Sequence, residues 1–491
     1  MRKSKSIDFS ITILIATTLI LSACGSNAAA SGLSFSDATQ APPPVSTWKG
    51  RPEYAPAELV DYIAQDGDTI PALASHFNTS EEEIYEANPF VPRNATTMPP
   101  GMPMKIPIYY LPLWGNPYQI IPDSAFVYGP SLVGFNTSAF AASYPGWINE
   151  VYDWAGRDNR TGADIVDYVA INYSISPRLL LALLEYQAGA LSEFERPAKR
   201  YILGFEKTYF ESMYLQLVGA ANTLNDAYYR WRIGTLTEFE LRDGSLVRPD
   251  PWQNAASVAL QYYFSQMAST NEYHRAVAPE GLAATYAALF GNPWEDTSEL
   301  IPGSLQQPDL RLPFLAGQVW SYTGGPHTGW GTGQPFTAVD FAPPSGKSGC
   351  FIADEKFYAI AVADGLVVRS EYGLVALDLD GDGDERTGWV IVYLHIATDG
   401  RAPAGLSLKA GEPVGYPSCE GGRATGTHVH VSRKYNGEWI PADGPLAFNM
   451  EGWVPHNGKR AYAGTLTKGS LVVTACECGD AYTQIRSEIS P

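Results

Sequence analysis

The chain has 491 residues, which at ~150 residues per domain suggests about three domains with room for separate cores. Apolar residues make up 45% of it and aromatics 12%, a globular composition that excludes a fibrous or wholly disordered protein. Against 33 basic residues stand 52 acidic ones, so nucleic acid is excluded as a partner, because phosphate binding needs clustered Lys and Arg.

Arg2, Lys3 and Lys5 form a positive start, Ile11 to Leu21 an apolar run, and Leu21-Ser22-Ala23-Cys24 follows. That tetrapeptide resembles the lipobox of bacterial lipoproteins. The resemblance implies a signal peptide over residues 1–23 and lipid on the thiol of Cys24. It also implies an exported, wall-associated protein anchored to the outer face of the bacterial cell membrane. No later run approaches the ~18 apolar residues of a spanning helix. Residues 24–56 are rich in Ala, Ser and Pro, including Pro42, Pro43 and Pro44. They read as a flexible tether, roughly a hundred ångströms at full stretch.

Residues 57–109 predict a small βααβ unit. Asp66-Gly67-Asp68-Thr69 is a turn that caps a first helix, Pro71 sits in that helix's first turn, and Thr79 or Ser80 caps a second, acidic-started one. The Gly67-Asp68-Thr69 turn, Ile70, Leu73, Ala74, Phe77, Asn88-Pro89, Gly101 and Ile106-Pro107 fall in the order of a LysM module, which the segment resembles over nearly its whole length. The resemblance implies binding of N-acetylglucosamine chains, such as the glycan of peptidoglycan. The groove would lie beside Gly67, Asp68, Thr69 and Ile70 and the loop at Asn88 and Pro89.

Residues 110–300 predict a mostly α-helical domain rich in Tyr and Trp. Ser176-Pro177 starts a helix by the cap-then-proline rule, Leu179, Leu180, Leu183, Leu184 and Tyr186 continue it, and Tyr209 to Tyr229 and Asn254 to Met267 carry further helical patterns. The segment from Ser174 to Leu191 resembles the opening catalytic helix of lysozyme-like transglycosylases. Aligned on Gly189, however, Gln187 and Ala188 stand where that family has Glu and Ser, and Glu185 lies on another helix face. A glutamine cannot protonate a glycosidic oxygen, so the domain reads as degenerate.

Residues 301–314 carry several prolines and few apolar repeats and mark the last boundary. Beyond it, short alternating runs with Gly-rich turns predict an antiparallel all-β domain over residues 301–491 with a C-terminal extension. Four of the seven histidines, His327, His395, His428 and His430, fall between residues 318 and 435 of this domain, with Asp340. Because strand side chains alternate, His428 and His430 project to one side, and imidazole plus carboxylate is the donor set of a hydrolytic zinc site.

The order VDFAPP, ADGLVV, YLHI, KAGEPVGYP and GTHVHVSRK over roughly residues 318–435 resembles the lysostaphin or LytM-type zinc endopeptidases, which cut peptide crosslinks of cell walls. Carried over by motif, Asp340 and His430 hold zinc, while His395 and His428 work on the bound water and the developing oxyanion. The family's first motif is usually H-x-x-x-D, and here Phe336 stands four residues before Asp340. The expectation is that the Gly-rich stretch from His327 to Asp340 folds back as a loop, bringing His327 in as third ligand. Tyr322 reads as structural.

Asp378 to Glu385 is a dense acidic loop that could be a solvated hairpin tip or a Ca²⁺ site. Cys350, Cys419, Cys476 and Cys478 are expected in disulfides, with three pairings open. Together these readings predict a lipid-anchored zinc metalloendopeptidase acting on peptidoglycan. Its rival is an inactive wall-binding scaffold or an activator of other hydrolases.

Overall fold

A computed structural model describes residues 53–112 and 114–488. The signal peptide, Cys24 and most of the tether lie outside the described residues. Among those residues, no helix is long and apolar enough to cross a membrane.

The first unit runs β1 (Glu58–Ile63), α1 (Ile70–His76), α2 (Glu81–Ala87), β2 (Pro103–Ile108), with β1 and β2 antiparallel. Local chemistry sets its helix starts. The Thr69 side chain accepts from Ala72 N with Pro71 in the first turn, and Ser80 and Glu83 form a reciprocal capping box. Tyr62, Leu73, Phe77, Ile84 and Ile106 close a core of its own.

The middle region contributes α3 (Thr137–Ala142), the hairpin β3 (Tyr152–Ala155) and β4 (Asp158–Thr161), α4 (Gly162–Tyr173), α5 (Pro177–Ala188), α6 (Met213–Arg232), the short pair β5 (Phe239–Glu240) and β6 (Leu246–Val247), α7 (Ala255–Met267), α8 (Thr270–Ala276) and α9 (Ala284–Phe290). Helix α5 begins where Ser176 accepts from Leu179 N and ends at Gly189, whose φ of +58° suits glycine. Its Leu179 to Leu184 run is buried on every side, which explains a helix without a polar stripe.

The C-terminal region is all β: β7 (Val319–Thr328), β8 (Phe336–Ala342), β9 (Ala359–Ile360), β10 (Gly365–Glu371), β11 (Gly373–Asp378), β12 (Trp389–Ile396), β13 (Ser407–Leu408), β14 (Pro413–Gly415), β15 (Val429–Tyr435), β16 (Glu438–Trp439), β17 (Val454–Asn457), β18 (Gly464–Lys468), β19 (Leu471–Thr474) and β20 (Gln484–Arg486). Its main antiparallel sheet has the order β13-β10-β11-β12-β15-β8-β7-β20, with β16 beside β15.

Register decides what each face of this sheet meets. Asp340, His430, Leu394 and Leu374 are consecutive cross-strand partners, followed by the row Ser432, Val392, Ala376. Partners directly opposite share a face. Leu374, Ala376, Val390, Val392 and Leu394 belong to the core of the helical region, whereas Val339, Val431, Tyr393 and Val375, one residue out of phase, pack into a separate β core. The helices therefore cover the same face that carries Asp340 and His430.

The segment 301–314 is a packed strap. Ile301, Leu305, Leu310, Leu312 and Phe314 are buried, and Thr96 and Thr97 of the first unit bond to Leu305 O and Pro302 O. Apolar residues spaced by prolines can fill a seam without any period, which is why the pattern gave no sign of it.

Arg232, at the end of α6, joins all three regions. Its guanidinium bonds Asp66 O, lies 3.2 Å from Asp123 and 3.0 Å from Glu438, and donates to Tyr228 Oη at 2.8 Å.

Candidate metal centre

Strands β8 and β15 place Asp340 directly opposite His430. His327 comes from strand β7, not from the Gly-rich loop expected of it. It sits one residue before the end of β7, paired with Ala338, and the turn is confined to residues 329–335. Three register irregularities between Tyr322 and Thr328 re-aim the strand so that His327 meets the face of Asp340. Phe336 begins β8 at the turn end of the same hairpin, opposite Thr328. The close approach needs Gly324, where a Cβ would fall on Asp340 Oδ2.

The donor atoms of His327, Asp340 and His430 lie within 4.8 Å of one another, and all three residues are buried. His327 Nε2 is 3.0 Å from His430 Nδ1 and 3.3 Å from Asp340 Oδ1, and His430 Nδ1 is also 3.3 Å from Asp340 Oδ1. Four donors at ~2.0–2.1 Å around a tetrahedral zinc are spaced about 3.3–3.4 Å apart, so these three separations fit three corners of such a site. Asp340 Oδ1 and His430 Nε2 are buried without a hydrogen-bond partner, and a cation would satisfy the carboxylate oxygen. Burial pushes the Asp340 carboxyl up, but the facing imidazoles of His327 and His428 overcome this and hold it well below the usual range. Burial lowers His430, favouring the neutral imidazole that ligates metals.

Backbone carbonyls fix the other rings. The Nδ1 atoms of His327, His395 and His428 lie 2.8, 2.9 and 2.7 Å from Gly325 O, Glu420 O and Gly426 O. A carbonyl only accepts, so each Nδ1 carries the proton and each Nε2 presents its lone pair. His395 and His428 stand side by side with ring centroids 4.5 Å apart, and His428 Nε2 is 3.8 Å from Asp340 Oδ2. Burial, then the neighbouring His428, lowers His395 to about 3, so it is neutral at pH 7. His395 also holds a φ of +63°, an uncommon backbone for a residue other than glycine.

Sequence reasoning missed Tyr462. Its ring stacks on His327 with centroids 4.0 Å apart, it is half exposed, and its backbone is pinned by Gly325 N donating to Tyr462 O at 2.9 Å. It lies in the β17–β18 turn, far along the chain from the histidines, and no spacing signal marks it. Tyr322 instead packs beside Phe341, inside the β core on the opposite face from Asp340.

The other singled-out positions lie elsewhere. Gly67 faces the Arg232 guanidinium, Asp68 accepts from Tyr62 Oη and Gln65 N, and Thr69 caps α1. Ile70 is in the core, and the Asn88 amide bonds Ile84 O and Lys105 O while Lys105 N donates to its oxygen; Pro89 is exposed. In the middle helix, Gln187 accepts from Tyr263 Oη, and Glu185 accepts from Leu191 N and Ser192 N as a local cap. Carboxylate oxygens of Asp378, Asp380 and Asp382 lie within 4.8 Å of one another. The cysteines pair as Cys350–Cys419 and Cys476–Cys478.

Residues 119–304 match the family model described as LasA, N-terminal domain. The middle region is thus LasA-like over nearly its full length. Protease LasA of Pseudomonas aeruginosa PAO1 is 26% identical over 347 residues, covering 66% of this chain and 75% of that protein. Protease LasA of strain UCBPP-PA14 is 25% identical over the same length. Among solved structures, the M23 metalloprotease pseudoalterin from the deep sea aligns at 21% identity with a TM-score of 0.29, covering 34% of this chain and 96% of its own. The catalytic domain of the antimicrobial peptidase lysostaphin from Staphylococcus simulans aligns at 21% identity with a TM-score of 0.18, covering 25% and 87%.

Proposed function

We propose that the chain is a zinc endopeptidase that hydrolyses peptide crosslinks of peptidoglycan, with His327, Asp340 and His430 as metal ligands and His395 and His428 as the proton-handling pair. The observation that carries this reading is the convergence of three buried donor atoms at 3.0–3.3 Å beside two imidazoles whose Nε2 lone pairs are fixed by backbone carbonyls. The similarity to protease LasA supports peptide hydrolysis as the reaction.

Zinc held by this triad supplies Lewis acidity toward a water and toward the scissile carbonyl. The remaining work falls to the protein. With its Nδ1 proton committed to Glu420 O, neutral His395 accepts a proton from the attacking water through Nε2. His428, the most exposed of the five at 14% of its side chain, stands where it can donate to the oxyanion or the leaving amine once protonated. The two rings lie side by side with centroids 4.5 Å apart, each with Nδ1 held by a backbone carbonyl and Nε2 free for proton transfer, so one can serve as base while the other serves as acid.

Around this site we place zinc as the catalytic ion, a lipid at Cys24, and a LysM-type glycan anchor at residues 57–109. The acidic loop from Asp378 to Glu385 reads equally as a solvated hairpin tip or as a Ca²⁺ site. In the arrangement described, the Gly67 side of the anchor is held against Arg232, so glycan binding there competes with docking on the helices.

The test is zinc content of the purified chain measured beside its action on isolated cell walls. Stoichiometric zinc together with new amino termini is expected. Metal-free protein that still binds walls would leave the scaffold reading instead. His430→Ala should abolish metal binding, whereas His395→Ala should keep the metal and lose about 10²-fold or more in turnover.

A further inference from the structure

We propose that a cleft of about 430 Å³, between the helical region and the β10–β11 turn, is a second, saccharide-binding site. It deepens the cell-wall reading above and rests on it for the choice of sugar. The volume is that of a small-molecule site. Its walls come from separate parts of the chain: the approach to α3, one face of α4, strand β4, and Glu371 and Arg386 of the β region.

The lining has the chemistry that recognises a pyranose. Half-buried Tyr128, Phe135 and Tyr168 contribute aromatic surface to the wall, each with a guanidinium over its ring, Arg386 at 5.8 Å, Arg178 at 4.7 Å and Arg160 at 4.5 Å, and the ring surface left uncovered suits the apolar C–H side of a sugar. Between them stand planar groups that bond in pairs, the carboxylates of Asp164, Asp167 and Glu371 and the guanidiniums of Arg160 and Arg386, matched to adjacent hydroxyls.

The two signs are already largely balanced inside the protein, which argues for a neutral ligand over a cationic or anionic one. Arg386 is held bidentately by Asp384 and donates to Leu132 O. Arg160 donates to Ala155 O and lies 4.5 Å over the Tyr168 ring. Glu371 is 3.6 Å from Arg369, and Asp167 accepts from Thr137 Oγ1. These contacts hold the planar groups in fixed orientation, so little side-chain freedom is lost when a ligand binds.

The cleft also borders the metal centre through one short turn. Glu371 precedes Tyr372 and Gly373, and Gly373 packs directly on Glu420 and Gly421, whose loop orients His395. A glycan strand seated here would bring its attached peptides to the histidines. The Gly67 side of the N-terminal unit is packed against Arg232, whereas this cleft is open.

The probe is the tetramer of N-acetylglucosamine, titrated calorimetrically into the whole metal-loaded chain. Saturable binding is expected, weakened by about tenfold or more in Tyr168→Ala and in Glu371→Gln. Glu371 is exposed, so its variant guards against misfolding of the first. Zinc content and cleavage of a short wall peptide should stay unchanged in both, which separates failure of this site from failure of the peptidase reading. The proposal is overturned if the wild-type chain does not bind the tetramer, or if both variants bind it as tightly as wild type, which would assign the sugar to residues 57–109. A lysine-containing tripeptide that binds the cleft in place of the sugar would also overturn it.

Discussion

The ring of Tyr462 lies on the ring of His327 with centroids 4.0 Å apart and planes 23° from parallel. Tyr462 holds this position in a left-handed backbone conformation, φ +67°, which costs on the order of 1–3 kcal/mol for a residue other than glycine. The stack fixes one face of His327, and Gly325 O fixes its Nδ1 edge. Tyr462→Phe should therefore leave zinc affinity close to wild type. Tyr462→Ala should lower it by about tenfold, the low end of the effect of losing an outer partner of a metal ligand. Competition with a chromophoric chelator measures both.

Gly324 is the second point where backbone serves the site. A Cβ there would collide with Asp340 Oδ2, and overpacking of this kind costs typically about 1–3 kcal/mol. Gly324→Ala should displace the carboxylate, reduce bound zinc below one per chain, and lower the melting temperature. Gly317, whose Cβ would meet nothing nearby, is the control for space, although its φ of +82° adds backbone strain of its own.

Arg232 links Asp66, Asp123 and Glu438 at the seam of three regions. Removing one partner from a buried ionic cluster leaves the others uncompensated, at about 3–5 kcal/mol. Arg232→Met should destabilise by that order in urea melts, and a double variant with Glu438→Gln should recover part of the loss. The same substitution frees the Gly67 side of the first unit, so glycan binding by residues 57–109 should rise.

His76 makes the docking of that unit acid-sensitive. It stacks on Trp231 at 3.5 Å and lies 3.0 Å from Trp231 O, and burial lowers it from 6.5 to about 3. An unfolded histidine takes up its proton near 6.5 and the folded one only near 3. The stabilisation is therefore complete above 6.5 and is lost as the pH falls toward 3. His76→Phe keeps the stack and loses a hydrogen bond of about 1 kcal/mol. It should melt lower than wild type at pH 7 yet lose fewer degrees between pH 7 and pH 4, followed by thermal melts.

Particular residues show how much was legible in the chain. Ser176-Pro177, Thr69 and Ser80 announce helix starts because caps act within four residues, and the structure has helices beginning at each. The alternation in His428-Val429-His430 signals two imidazoles on one strand face, and His430 and His428 both stand beside Asp340. The cysteines illustrate the opposite case: spacing left three pairings open, and only the fold brings Cys350 to Cys419 across 69 residues.

The sequence by itself determined the local elements, the all-β character of the C-terminal region and the residue types of the candidate metal centre, because periodicity, caps and donor chemistry are properties of neighbouring residues. Tertiary structure decided what depends on strand register and on contacts between distant segments. It set His327 in a bulged strand where a loop was expected, laid Tyr462 on it, turned the proline-spaced strap 301–314 into core, and put the helices on the same sheet face as Asp340 and His430. A one-residue slip in register would send that whole row to the other face, and no local pattern in the chain specifies which strand pairs with which.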